Sequence, residues 1–226
     1  MAFPDLAERV SDVRARIDAA AARGGHGQQV TIVAVTKTHG PEAARAAYEA
    51  GLHDVGENKV QEAVRKMAAV DVPVRWHLIG HLQRNKVKAL EQFVLLHSLD
   101  SPRLADEVCA FGIARGRAVD VLVELNLSGE ASKGGYTLSE LLPEAERLAS
   151  LAGIRVRGVM TMASFTATES QLHRTFAEGR EARAVLEEAG HPARELSMGM
   201  SNDYEIAVEE GATMVRLGTT LFGARA

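Results

Sequence analysis

Short apolar runs alternate with longer amphipathic stretches along nearly the whole chain. The runs cover 30–36, 53–55, 74–79, 93–97, 119–125, 154–160, 195–197 and 214–216, and their length and β-branched content predict eight strands. Between them, 41–51, 57–69, 83–91, 102–114, 138–150, 169–189 and 203–210 carry apolar residues at helical spacing. Ahead of the first strand, Leu6, Val10, Val13 and Ile17 recur at steps of four, three and four, which predicts one more helix over 3–22, ended by Gly24 and Gly25.

Strands that alternate with helices form parallel sheets, which must be covered on their outer face. Eight such units predict a single (β/α)8 TIM barrel of the α/β class with an extra N-terminal helix, spanning 1–226 as one domain. A doubly wound open sheet is the rival, but no GxGxxG turn follows the first strand. No proline-rich or glycine-serine linker divides the chain.

In a barrel the reactive groups sit just after the strands' C-terminal ends. In VTIVAVTKTHG (30–40), alternation puts Val33, Val35 and Lys37 on one side. If the valines face inward, the Lys37 ammonium enters the barrel mouth, where desolvation favours the free amine that attacks an aldehyde. A surface lysine closing a strand is the alternative. Far downstream, SMGMSNDYEIAVEEG places Ser197, Gly199 and Ser201 in a turn before a helix that Ser201 or Asn202 can cap, with Glu205 completing a capping box. Beside it, VRLGTTLFG brings Gly218, Thr219 and Thr220 after the eighth strand, where barrels commonly bind a phosphate. Arg216 ends that strand and could bond a phosphate, a heteroaromatic nitrogen or a barrel-mouth carboxylate. A lysine, a phosphate cradle and an arginine suit an aldehyde bearing a phosphate, for which pyridoxal 5′-phosphate is the obvious candidate.

Composition narrows the partners without changing this picture. With 26 Lys+Arg against 30 Asp+Glu, the net charge of -4 implies no general attraction to nucleic acid or an acidic membrane. Cys109 is the only cysteine, which excludes an internal disulfide framework and fits a reducing cytosol. The first 25 residues lack the apolar core of a signal peptide, and no stretch is apolar enough to span a bilayer, so a cytoplasmic location is expected. His77 and His81 are four apart but have no evident third ligand, so no metal is expected. Arg84, Lys86 and Lys88 read as a solvated basic face, with a second anion or a recipient enzyme left open.

The segments AVTKTH, VGENKVQE, WHLIGHLQRNK, HSLDS, GVMTMA and SMGMSNDYEIAVEEGATMVRLGTTLFG resemble the YggS/PROSC family of pyridoxal-phosphate homeostasis proteins, which share the barrel of alanine racemase. The matches run over 30–223. The resemblance implies that Lys37 holds the cofactor as a Schiff base and that Ser201, Gly218 and Thr219 hold its phosphate. Arg216 would lie by the ring nitrogen or phosphate, with Asn58 and His77 lining the pocket around the ring and Met162 and Met200 packing against it. The family often has aromatic residues around GEN, where this chain has Val55 and Lys59.

Racemisation by the related enzymes needs a second base, a tyrosine associated with a second domain and dimerisation. The sequence runs to Ala226, just past the eighth strand, and a monomeric barrel without that domain is expected. Of Tyr48, Tyr136 and Tyr204, only Tyr136, in SGEASKGGY, is placed to reach a substrate, and a glycine-flanked loop holds a base poorly. An arginine at the ring nitrogen would weaken the cofactor's electron sink. Binding for homeostasis, buffering or delivering the cofactor to apo-enzymes, is therefore expected, with no catalytic residue. A weak racemase and a cofactor-free Schiff-base aldolase are the alternatives.

Overall fold

The computed structural model describes residues 3–127 and 134–223, so most of the SGEASKGGY loop and the last three residues lie outside the described residues. Eight parallel strands close into a barrel in sequence order: β1 (Thr31–Val35), β2 (Asp54–Glu57), β3 (Arg75–Leu78), β4 (Leu95–Leu99), β5 (Val119–Leu125), β6 (Ile154–Thr161), β7 (Glu195–Met200) and β8 (Met214–Leu217). The barrel shuts where β1 pairs with β8, Val33 opposite Arg216.

The helices are α1 (Leu6–Gly24), α2 (Pro41–Glu49), α3 (Val60–Met67), α4 (Pro102–Ala114), α5 (Leu138–Ala149), α6 (Glu169–Glu188), α7 (Tyr204–Glu209) and α8 (Thr219–Phe222). Local chemistry explains several of their ends. Ser101 accepts the Leu104 N–H ahead of Pro102 in the first turn of α4, and complete capping boxes start α5 (Thr137, Glu140) and α6 (Thr168, Gln171). Gly25 closes α1 in the left-handed region. The stretch predicted as a helix after β3 is a 3-10 helix, Arg84–Gln92.

The main core lies between the barrel and its helices, where Val55, Leu78, Leu96, Val121, Leu196 and Val215 meet buried helical residues such as Leu104, Leu141 and Phe176. A smaller apolar cluster, Leu95, Leu122 and Met160, is packed by Met162 and Met214. The N-terminal helix buries Leu6, Val10, Val13, Ile17 and Ala20. Ion pairs Arg16–Glu205 and Arg23–Glu209 and the bond from Arg9 to the Leu221 carbonyl hold it against α7 and α8. Among the described residues no helix is long and apolar enough to cross a membrane.

Candidate functional site

At the C-terminal ends of the strands opens a cavity of about 530 Å³. Lys37, Asn58, Met200, Ser201, Arg216, Gly218 and Thr219 all line it, together with Met162. Residues 170 and more apart in sequence are therefore brought to one wall by barrel closure between β1 and β8.

Lys37 is half-buried and follows Val35 around the mouth of β1. The next residue, Thr38, holds φ at 70°, a left-handed conformation unusual for a β-branched side chain. The turn is clamped from outside the barrel. Thr38 N–H donates to Glu62 Oε1 at 2.7 Å, while Lys66 Nζ donates to the Thr36 carbonyl at 2.7 Å, to Glu57 Oε1 at 2.6 Å and to Glu62 Oε1 at 2.8 Å. The Thr36 hydroxyl also bonds Glu57. Burial pushes the Glu57 carboxyl up despite Lys66 and Thr36; Glu62, where the bonds from Lys66 and Thr38 outweigh burial, is held low.

Arg216 is buried and lines the floor of the cavity from β8. Its Nη1 donates to the Ser197 carbonyl and hydroxyl oxygens, each at 2.6 Å, and its Nη2 to the Thr161 carbonyl at 2.9 Å. Burial lowers its pKa to about 10, against the pull of Asp203 and Glu124, so it stays a cation at neutral pH.

The turn after β7 differs from its sequence reading. Neither Ser201 nor Asn202 caps α7; Asp203 occupies the cap position and accepts the Met200 N–H at 2.6 Å instead. The Ser201 hydroxyl accepts the Thr220 N–H at 3.2 Å, which ties the β7 and β8 loops together. Gly199 permits this tight turn: its φ is 90°, and a Cβ there would stand 2.7 Å from the Ala207 side chain. Gly80 serves the opposite wall, where a Cβ would meet the Asn58 carbonyl oxygen at 2.3 Å.

His77 does not line this cavity. It lies one layer deeper, beside Gly56 in register, and borders a separate crevice at the N-terminal ends of the strands with Thr31, Asp54 and Arg75. Its Nδ1 is 2.9 Å from His97 Nε2 and its Nε2 is 2.8 Å from Asp54 Oδ1. The expected placement around the ring is thus corrected: the inward parity was right, the depth was not. Two positions later, just past the end of β3, Ile79 reaches the cavity, followed by Gly80 and His81.

Tyr136 is also displaced from the role open to it. Its ring is buried and its hydroxyl donates to Glu144 Oε1 of α5 at 2.9 Å; burial and that carboxylate push the phenol far above its ordinary pKa. Tyr204 is buried in the core cluster and Tyr48 stacks near His53. None of the three lines the cavity.

The cavity holds one acid that sequence reading passed over. Glu124 faces in from β5, where burial and then Asp100 raise its pKa to about 7 against Arg216 and His81. Its inward parity with Leu122 in VLVEL was a usable signal. His81, held by Asp100 at 2.7 Å, and Phe165 complete the rim. An amine, a guanidinium, hydroxyls and glycine-lined backbone around one space can hold a small ligand that carries both a carbonyl and an anionic group.

Residues 9–226 match the family model described as alanine racemase, N-terminal domain. The chain is 42% identical over 222 residues to the pyridoxal phosphate homeostasis protein of Aquifex aeolicus, covering 96% of this chain and 97% of that one. Identity to the pyridoxal phosphate homeostasis protein of Escherichia coli K12 is 38% over 232 residues, 98% and 97% of the two chains. The solved structure of PipY from Synechococcus elongatus with PLP bound superposes with a TM-score of 0.85 at 35% identity, covering 96% of this chain and 100% of that one. Alanine racemase from Corynebacterium glutamicum shares the fold at 17% identity and TM-score 0.72, with 92% of this chain on 62% of that one. Matched at these identities over almost its whole length, and with the barrel to go with them, the chain belongs to the pyridoxal phosphate homeostasis protein family.

Proposed function

We propose that this chain binds pyridoxal 5′-phosphate in the mouth cavity and serves its homeostasis, holding or handing on the cofactor without substantial turnover. One observation carries the reading: the lysine, the arginine and the serine–glycine–threonine loops share one cavity, while the phenol that could act as a second base is bonded to Glu144 elsewhere.

The residues present fit the group. The cavity, about 530 Å³, lies within the roughly 300–1,000 Å³ of small-molecule sites. When bound, pyridoxal phosphate supplies an aldehyde carbon open to addition by a neutral primary amine. Lys37 brings a primary amino group to the cavity, and the clamped turn at Thr36 and Thr38 limits where it can point. Ser201, Gly218 and Thr219 would hold the phosphate, with Arg216 supplying a fixed cation to the ring or phosphate. Asn58, Met162 and Met200 line the space around the ring.

Racemisation would need a second proton carrier opposite Lys37, and among the described residues no tyrosine lines the cavity. The two homeostasis relatives are named for the cofactor and not for a reaction. Transfer to apo-enzymes, a monomeric state and a cytoplasmic location complete the proposal.

Borohydride reduction of the protein loaded with pyridoxal phosphate, followed by peptide mapping, tests it. The adduct is expected on Lys37 and is lost in Lys37→Ala. An adduct that persists on another lysine, or substantial racemisation of supplied amino acids by the wild type, overturns the reading.

A further inference from the structure

Below the cavity, a line of polar side chains crosses the barrel interior to its opposite face. Arg216 Nη1 bonds Ser197 Oγ at 2.6 Å, Ser197 Oγ lies 2.9 Å from His97 Nδ1, His97 Nε2 lies 2.9 Å from His77 Nδ1, and His77 Nε2 lies 2.8 Å from Asp54 Oδ1. Ser197 and His97 are fully buried, and His77 and Asp54 nearly so. Arg75, exposed at the base, holds Asp54 with Nε at 2.8 Å and a second bond from Nη2.

The donors and acceptors determine one another. A guanidinium only donates, so Ser197 Oγ accepts from Arg216 and its own O–H is available for His97 Nδ1. A neutral imidazole carries one N–H, which in His97 is then on Nε2 and points at His77 Nδ1. The N–H of His77 is likewise on Nε2 and ends on the Asp54 carboxylate. The opposite polarity requires an additional proton, because Asp54 as a carboxylate accepts only. Burial above all, and the Arg216 cation, hold His97 well below its ordinary pKa. Burial would raise the Asp54 carboxyl, but His77 and Arg75 outweigh it and keep it ionised.

We propose that Asp54, His77, His97 and Ser197 are positioning residues for Arg216: a one-way hydrogen-bond chain, with both imidazoles as neutral Nε2–H tautomers, that fixes the guanidinium in the cavity and ties it to the Asp54–Arg75 pair at the far face. The chain turns its oxygen end toward the cation and its N–H end toward the anion, so it is favourable at both ends. Its effect on the ligand rests on the cofactor reading above; its polarity does not.

Long-range proton–nitrogen NMR of the histidine-labelled wild type, without ligand, reads the tautomers. Both His77 and His97 are expected as Nε2–H; a proton on His97 Nδ1, or a doubly protonated His77, overturns the chain. Ser197→Ala and His97→Phe then cut it at successive links. Each is expected to shift or broaden the Arg216 Nη resonances. The dissociation constant for pyridoxal phosphate is expected to rise about tenfold in Ser197→Ala, the scale of one charge-assisted hydrogen bond, and about threefold in His97→Phe, where only the polarisation from the far side is lost. Unchanged Arg216 signals in His97→Phe would mean that the serine acts alone, which also overturns the proposal. Should the wild type fail to bind pyridoxal phosphate, the cofactor reading falls while the tautomers still decide the chain.

Discussion

Two lysines flank the same short stretch of β1 and its turn, one on each face of the barrel wall. On the inner face, Lys37 lines the open cavity with Arg216 and Asn58. On the outer face, Lys66 of α3 is buried, and its ammonium spends three donors on Thr36 O, Glu57 Oε1 and Glu62 Oε1. Both are removed from bulk water to some degree, yet only one faces a space that admits a ligand. Burial by itself therefore does not bring a lysine to a ligand-sized space. The pleat of β1 turns Lys37 to the inner face, while Lys66 reaches the outer face from α3. The outer lysine nonetheless serves the inner one, because its bonds hold the turn from which Lys37 projects.

The widest separation between the two faces is expected from removing each lysine. Lys66→Met leaves the Glu57 carboxylate buried without its cation, and urea unfolding should register a loss of about 3–5 kcal/mol, the usual result of breaking a buried pair from one side. Lys37→Ala, at a half-buried position, should stay within about 1 kcal/mol of wild type in the same measurement. Equal losses would erase the distinction.

A smaller effect is expected at Glu124, on the inner face. Its pKa is raised to about 7 in the folded protein, above the ordinary carboxylate value of about 4.3. The folded state thus binds the proton more tightly, and wild-type stability falls as pH rises from the ordinary value through about 7. Glu124→Gln removes that fall, so thermal unfolding above about pH 8 should find the variant more stable, by on the order of 1–2 kcal/mol. A wild-type profile parallel to the variant's across this window would remove Glu124 as a titrating group of the cavity.

The smallest expected effect concerns the hinge between the faces. Thr38→Gly relieves the left-handed strain at φ 70°, a gain of about 1 kcal/mol offset in part by the entropy of glycine. Thermal unfolding should therefore move little, while pyridoxal phosphate affinity falls if the strained turn aims Lys37. Unchanged affinity would assign the aiming to the Lys66–Glu62 clamp alone.

Much of this was legible in the residues. The periodicities predicted all eight strands, and β5 coincides with its predicted span, as α4 does with its own. The inward parity of Val33, Val35 and Lys37 was readable because a strand's alternation is a local property. His77 shows where such reading stops. It too points inward, but the register pairs Val35 with Gly56 and Gly56 with His77, so all three share a layer beneath the mouth. Lys37, Asn58 and Ile79 each lie two residues further, just past the ends of their strands, and line the cavity; of the deeper three only Val35 also borders it. Tyr136 was misjudged for a related reason. A glycine-flanked tyrosine reads as mobile, yet its N–H bonds the Glu124 carbonyl at 2.8 Å and its hydroxyl is caught by Glu144.

By itself the sequence determined the order of elements, the faces of each strand, the lysine at the end of the first and the small-residue loops after the seventh and eighth. These follow from backbone sterics and side-chain period over a few residues. Only the tertiary structure decided which inward residues share a layer, that His77 and His97 belong to a chain ending on Arg216, and that Lys66 holds the wall behind the turn of Lys37. Those depend on strand stagger and barrel closure, which juxtapose side chains 20 to 100 residues apart, as in the His77–His97 and His97–Ser197 contacts. No local pattern encodes such distances; they exist once all eight strands have found their register.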